Sequence, residues 1–246
     1  MRKTILIIFL LFPSLSLTAR ILTTHFQDSA PKYFLEDGIV RGICTDIIIS
    51  LNKELRSSNI QILTEKSSYP FVPFRRLQED LENGIIDIFI GLAKSPSRVE
   101  KYVFLETPVY QVSSTFAKKI LSDFEYDSQS DLVNQSIGVV SGSKTADQLN
   151  SIGTLNVLNI KTLDQALRML NLGRIDLVFY HSLGLKHTIA KLELESTITC
   201  SDKAFENYNH YIAFNKSISP VIMEQVEKAL QRLIDVGGID KILSNY

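Results

Sequence analysis

The feature that most constrains this chain is a phrase that occurs twice. Its first copy runs Gly84-Ile85-Ile86-Asp87-Ile88-Phe89-Ile90-Gly91, and a weaker copy runs Gly173-Arg174-Ile175-Asp176-Leu177-Val178-Phe179-Tyr180. In each, a glycine suited to stopping a helix precedes a nearly continuous apolar run. A run without polar alternation fits a strand covered on both faces, as in a parallel sheet between helices. The first copy continues into Ser95-Pro96-Ser97-Arg98, a tight turn carrying one arginine, and then into Phe104 and Pro108-Val109-Tyr110, a return strand.

The segments around these phrases complete an alternation of strand and helix. Residues 20–24 and 60–63 read as strands, and Glu36-Asp37-Gly38 is a turn signal between two short extended pieces. Residues 46–55 carry apolar side chains at helical spacing. A second helix opens at Pro73-Phe74, places Leu77 and Leu81 on one face, and stops at Asn83-Gly84, so that residues 85–90 form the next strand. A second unit begins at residues 136–140, continues through a helix over 162–170, and ends in a strand over 175–180. Residues 219–230 and onward read as two helices split at Gly237-Gly238. Such alternation predicts an α/β architecture with mainly parallel sheets, built as two duplicated halves.

Composition narrows the function. With 246 residues, 45% of them hydrophobic, the chain can form one large domain or two smaller ones, each with its own core. Its 26 basic and 27 acidic residues give no electrostatic reason to expect nucleic acid as a partner. The N-terminus reads as a signal peptide over residues 1–19: Arg2 and Lys3, a short apolar run to Phe12, Pro13, and small residues leading to Ala19. That run is shorter than the roughly 20 residues a spanning helix needs. No cysteine stands at the cleavage point, so a protein free in an oxidising exported space, most simply a periplasm, is expected without a lipid anchor. Cys44 and Cys200 are read as small buried thiols, since a bond between the two halves would lock any hinge. There is no CxxC and no His/Cys cluster, so neither a metal nor a cofactor is expected. Two such units behind an export signal suggest two lobes closing on a small solute, and the placed arginine suggests an anion.

Taken in order, these phrases resemble the bacterial extracellular solute-binding proteins of family 3, which include the polar amino-acid binders. Asp37-Gly38 through Gly42-Ile43-Cys44-Thr45-Asp46 is similar to the family's D-G-x-x-x-G-F-D-x-D, and Ser95-Pro96-Ser97-Arg98 to T-P-E-R. Phe104 through Tyr110 is similar to F-S-x-P-Y-Y, Ile137-Gly138-Val139-Val140-Ser141-Gly142-Ser143 to V-G-V-x-x-G-T, and residues 211–216 to Y-G-I-A-V-R-K. The resemblance covers nearly the whole chain after the leader. It implies a type II periplasmic-binding-protein-like fold with two α/β lobes joined by two hinge crossovers. Lobe one would be residues 20–110 with 211–246, and lobe two residues 111–210. It further implies a monomer that binds a small carboxylate or amino acid and delivers it to an ABC permease.

The resemblance places the ligand site. Arg98 would take a ligand carboxylate, for which a guanidinium fork is suited. Gly91, Leu92 and Ala93 would offer main-chain contacts only. Ser143 and Lys144 stand where a loop enters a helix of lobe two. Phe74 and either Phe26 or Tyr33 are candidate aromatic walls, and Arg75 or Arg76 either reaches the cleft or lies on a solvated face. The main departure is His181, at the place where amino-acid binders carry an aspartate for the ligand's ammonium. Histidine supplies no fixed negative charge, so an anion-holding cleft without a clear ammonium clamp is expected. Two other functions fit the same scaffold: an enzyme like the cyclohexadienyl dehydratases, with His181 and Glu106 as the nameable acid–base groups, or a ligand-binding partner of a membrane sensor.

Overall fold

A computed structural model describes residues 19–64 and 70–246. The expected leader, apart from its last residue, lies outside the described residues. The chain opens with β1 (Arg20–Thr24), which pairs in parallel with β4 (Ile60–Thr64). Between them, β2 (Phe34–Glu36) and β3 (Ile39–Arg41) form a hairpin, and α1 (Ile43–Glu54) follows. The hairpin turns on Asp37 and Gly38, both with positive φ, as a two-residue turn matched to strand twist requires.

Next come α2 (Phe74–Glu82), β5 (Ile88–Ala93), the short α3 (Pro96–Val99), β6 (Val103–Phe104) and the long β7 (Tyr110–Lys119). The second unit contains β8 (Ser136–Val140), α4 (Lys144–Asn150), β9 (Asn156–Ile160), α5 (Leu163–Asn171), β10 (Leu177–His181), α6 (Ser182–Lys191) and β11 (Ile198–Cys200). The chain then runs back along β12 (Glu206–Phe214) into α7 (Pro220–Asp235) and α8 (Gly238–Leu243).

The doubled phrase has one structural meaning in both copies. Gly84 and Gly173 are left-handed, with φ of 73° and 68°. The residue after each sends its N–H back five positions, Ile85 to the Asp80 carbonyl and Arg174 to the Met169 carbonyl, each at 2.9 Å. This is the Schellman closure of a helix end. The following Ile86 and Ile175 are buried. The aspartates then tie each strand to a second one, β1 for the first copy and β8, the parallel neighbour of β10, for the second. Asp87 Oδ2 accepts the Thr23 N–H at 2.8 Å and hydroxyl at 3.0 Å, and Asp176 Oδ2 accepts the Ser136 N–H at 2.8 Å. Because Ile85 and Ile86 wrap the helix end, β5 starts at Ile88, three residues later than the apolar run predicts.

The sheets join through two strands. The order is β5-β12-β7-β10-β8-β9, with β8 parallel to both β9 and β10, while β7 and β12 run antiparallel to their neighbours. One apolar core draws on residues 22–112 and 208–242, and two smaller cores draw on residues 116–198. The side chains change core within β7, between Val112 and Phe116, and on the return at Tyr208 of β12. Both thiols are free; Cys44 is buried, whereas Cys200, on the three-residue strand β11, is only half-buried. Among the described residues, no helix is long and apolar enough to cross a membrane.

Candidate functional site

A cleft lies between the ends of β5 and β10, on either side of β12 and β7. Its floor is set by a bulge. Ile90 pairs with Ile212 and Leu92 with Tyr211, leaving Gly91 as the extra residue of β5. Gly91 has φ 86°, and a Cβ there would lie 2.6 Å from the Cys44 sulfur. Only glycine fits, and the bulge turns the main chain of Leu92 and Ala93 toward the cleft.

Arg98, on α3, is 4% exposed. Its Nη1 donates to the Ala93 carbonyl at 2.9 Å and its Nη2 to the Gly142 carbonyl at 3.0 Å. The second bond spans the cleft to the turn between β8 and α4. The Phe74 ring lies 5.5 Å from the guanidinium carbon, and Asp147 stands 4.0 Å from Nη2. The enclosed space is about 30 Å³, room for about two waters. A larger solute needs the walls of the cleft to part.

On the opposite wall, Ser143 caps α4, its Oγ accepting the Ala146 N–H at 3.0 Å. Lys144 lies over the Tyr208 ring at 4.4 Å and pairs with Glu206 at 2.8 Å. His181 is the N-cap of α6: its Nδ1 accepts the Gly184 N–H at 3.0 Å. Its Nε2 is buried without a hydrogen-bond partner among the described residues, and so is Nδ1 of His210. The two rings sit 6.1 Å apart. Burial, with the nearby Lys32 charge as a second cause, holds both imidazoles well below the usual histidine range. Both are neutral at pH 7.

Lys32 also lines the cleft, at 7% exposure, and none of the described residues pairs with its ammonium. The peptide frame fixes its place: its N–H donates to the Ser29 carbonyl at 2.9 Å, and its carbonyl accepts the Cys44 N–H at 3.0 Å. Burial first, offset by Cys44 and reinforced by the Arg98 charge, lowers its pKa to about 8, so it remains charged at neutral pH. Among the described residues, no carboxylate lines this cleft.

Of the expected site residues, Arg98, Ser143, Lys144, His181, Phe74, Gly91 and Ala93 surround one cavity, joined by Tyr180. Phe26 does not line it. That ring packs on Tyr33 at 5.4 Å, and Tyr33 is itself fully buried, with its hydroxyl on the Ile90 carbonyl. The aromatic wall from β12 is Tyr208 instead. Arg75 and Arg76 form a solvated face, paired with Glu79 and Asp80. Glu106 is exposed and outside the cavity. Lys32, Gln27, Tyr208 and His210 are additional lining residues. A period-two signal was available for two of them, because Tyr208, His210 and Ile212 alternate on the buried face of β12. Nothing local marks Lys32, which reaches the cleft from a loop. No group of three His, Cys, Asp or Glu among the described residues could hold a metal ion.

No family model matches the chain, and no curated protein matches it. Solved structures do match over nearly their full length. An arginine-binding protein of T. maritima, in a mutant form, superposes with a TM-score of 0.76 at 20% identity, covering 93% of this chain and 94% of that one. A histidine kinase sensor domain similar to periplasmic binding proteins gives 0.79 at 14% identity, covering 93% and 95%. An amino acid ABC transporter substrate-binding protein of Streptococcus pneumoniae, bound to L-arginine, gives 0.76 at 20%, covering 92% and 93%. The fold is thus the two-lobed one of periplasmic binding proteins.

Proposed function

We propose that this protein is an exported solute-binding protein that closes two lobes on a small anionic solute and delivers it to an ABC permease. The observation that carries this reading is Arg98, a buried guanidinium whose bond to Gly142 bridges the cleft. Contacts from both walls to one bound molecule would stabilise the closed form. Residues 20–110 with 211–246 are taken as one lobe and 111–210 as the other, with β7 and β12 as hinge strands. Residues 1–19 are taken as a cleaved leader, giving a monomer free in the periplasm.

Binding is favoured over turnover. Proton transfer needs a placed acid or base. Of the two acid–base groups that the sequence names, Glu106 is exposed outside the cleft and His181 has its Nδ1 engaged by its helix. The fold likeness to a sensor domain supports a second reading, in which the loaded protein contacts a membrane receptor. Neighbouring permease genes would favour transport, and a neighbouring sensor gene would favour signalling. Calorimetric titration with amino acids and small carboxylates tests the shared core of both readings. A saturable heat with wild type that vanishes in Arg98→Ala is expected, and silence throughout would overturn it.

A further inference from the structure

Three cations approach this cleft, and they are not equivalent. Lys144 is neutralised by Glu206 at 2.8 Å. Arg98 has Asp147 at 4.0 Å and two main-chain carbonyls. Lys32 has no anionic partner among the described residues, although it is 7% exposed. A buried, unpaired ammonium is costly to maintain in the folded state. An anion bound beside it would offset that cost.

The neighbouring imidazole points the same way. Because His181 Nδ1 accepts the Gly184 N–H, the neutral ring carries its proton on Nε2. That N–H is buried, beside the cavity and without a partner among the described residues. It is a donor, suited to a carboxylate oxygen and unsuited to an ammonium, which has donors alone. The cleft therefore presents an ammonium and an N–H where a zwitterion would need a carboxylate.

Building on the solute-binding reading, we propose that the ligand is a small dicarboxylate without an ammonium group. One carboxylate is held by Arg98, and the second lies between Lys32 and the Nε2–H of His181.

Succinate, butyrate and L-aspartate make a direct test, because all have four carbons and the last two each differ from succinate in one charged group. Calorimetric titration of the purified protein is done with each, with L-malate and glutarate for other dicarboxylate shapes, L-arginine as a further ammonium-bearing ligand, and inorganic phosphate as a non-carboxylate dianion. At least one dicarboxylate is expected to bind about 100-fold more tightly than butyrate or L-aspartate, the size typical of losing one partner of a buried charge pair. Lys32→Met is expected to remove that advantage, bringing dicarboxylate affinity down to that of butyrate. The wild-type comparison needs no variant, so a misfolded mutant does not rescue the proposal. Tighter binding of either amino acid or of phosphate, or an unchanged dicarboxylate affinity in Lys32→Met, overturns the dicarboxylate assignment and leaves solute binding standing. No binding by any compound overturns both.

Discussion

The Nδ1 of His181 accepts the Gly184 N–H at 3.0 Å, and this bond sets what the ring offers the cleft. With Nδ1 committed to the helix end, only the Nε2–H faces the buried cavity. An aspartate at this position would still cap α6, since Asp is among the best N-cap residues. It would also present a negative charge, but beside Lys32, which would neutralise it. The double variant Lys32→Met, His181→Asp is therefore expected to gain about tenfold or more in affinity for L-aspartate relative to succinate. His181→Asp alone should gain less. Calorimetry on both variants checks this, and equal ligand preference in wild type and the double variant would contradict the placement of these two residues.

Lys32 makes a separable prediction about stability. Its pKa is about 8 in the folded protein, against about 10.4 in an unfolded chain. The unfolded state therefore binds more protons between these values, and stability rises with pH across that window. Below pH 8 the buried charge costs on the order of 3 kcal/mol. Lys32→Met keeps the apolar stem and removes the charge. At pH 7 it should melt on the order of 5–10 °C above wild type without ligand. The gap should close as pH approaches 10.5. The groups facing Lys32 are Cys44 on α1, Arg98 on α3, and His181 and His210 across the cleft. Melting temperatures of both proteins from pH 7 to 10.5 decide the matter.

Acid should act through the imidazoles. His181 and His210 are held well below 6.5, mainly by burial and then by the Lys32 charge. Unfolded histidines take up protons near 6.5, so the folded state loses stability as pH falls below that value. Two such groups give a slope of roughly 3 kcal/mol per pH unit. Urea midpoints between pH 7.5 and 5.5 should fall steeply in wild type and less in His210→Gln. A flat profile in wild type would contradict the burial of these rings.

The paired aspartates should matter for the fold and not for the ligand. Asp87 ties β5 to β1 through Thr23, and Asp176 ties β10 to β8 through Ser136. Asp87→Ala or Asp176→Ala should each destabilise by about 1–3 kcal/mol, with solute affinity unchanged. Denaturant midpoints and a titration on the same preparation separate the two effects.

Much of this fold is legible in the sequence because its signals are local. Each Gly-x-Ile-Asp phrase writes a helix stop, a buried anchor and a strand tie into four consecutive residues. Arg98 follows the turn that such a strand requires, so its place near the strand ends is readable as well. Lys32, Tyr208 and His210 are harder to place, because their roles depend on distant pairings. Lys32 belongs to a loop whose position comes from main-chain bonds to Ser29 and Cys44. Phe26 resembles an aromatic wall in its sequence position, yet it packs half-buried against the core on Tyr33. The need for glycine at the Gly91 bulge is likewise invisible locally, since the Cys44 sulfur that would meet a Cβ there is far away in sequence.

The most direct test of the account is a thermal-shift screen of wild type and Arg98→Ala against small carboxylates and amino acids. A ligand at about 100 times its dissociation constant stabilises by about 2.7 kcal/mol, a rise on the order of 5–10 °C for a chain of this size. The account predicts such a rise with a carboxylate in wild type and its loss in Arg98→Ala. An equal rise in both proteins would contradict the role given to Arg98, and no rise with any compound would contradict solute binding in this cleft.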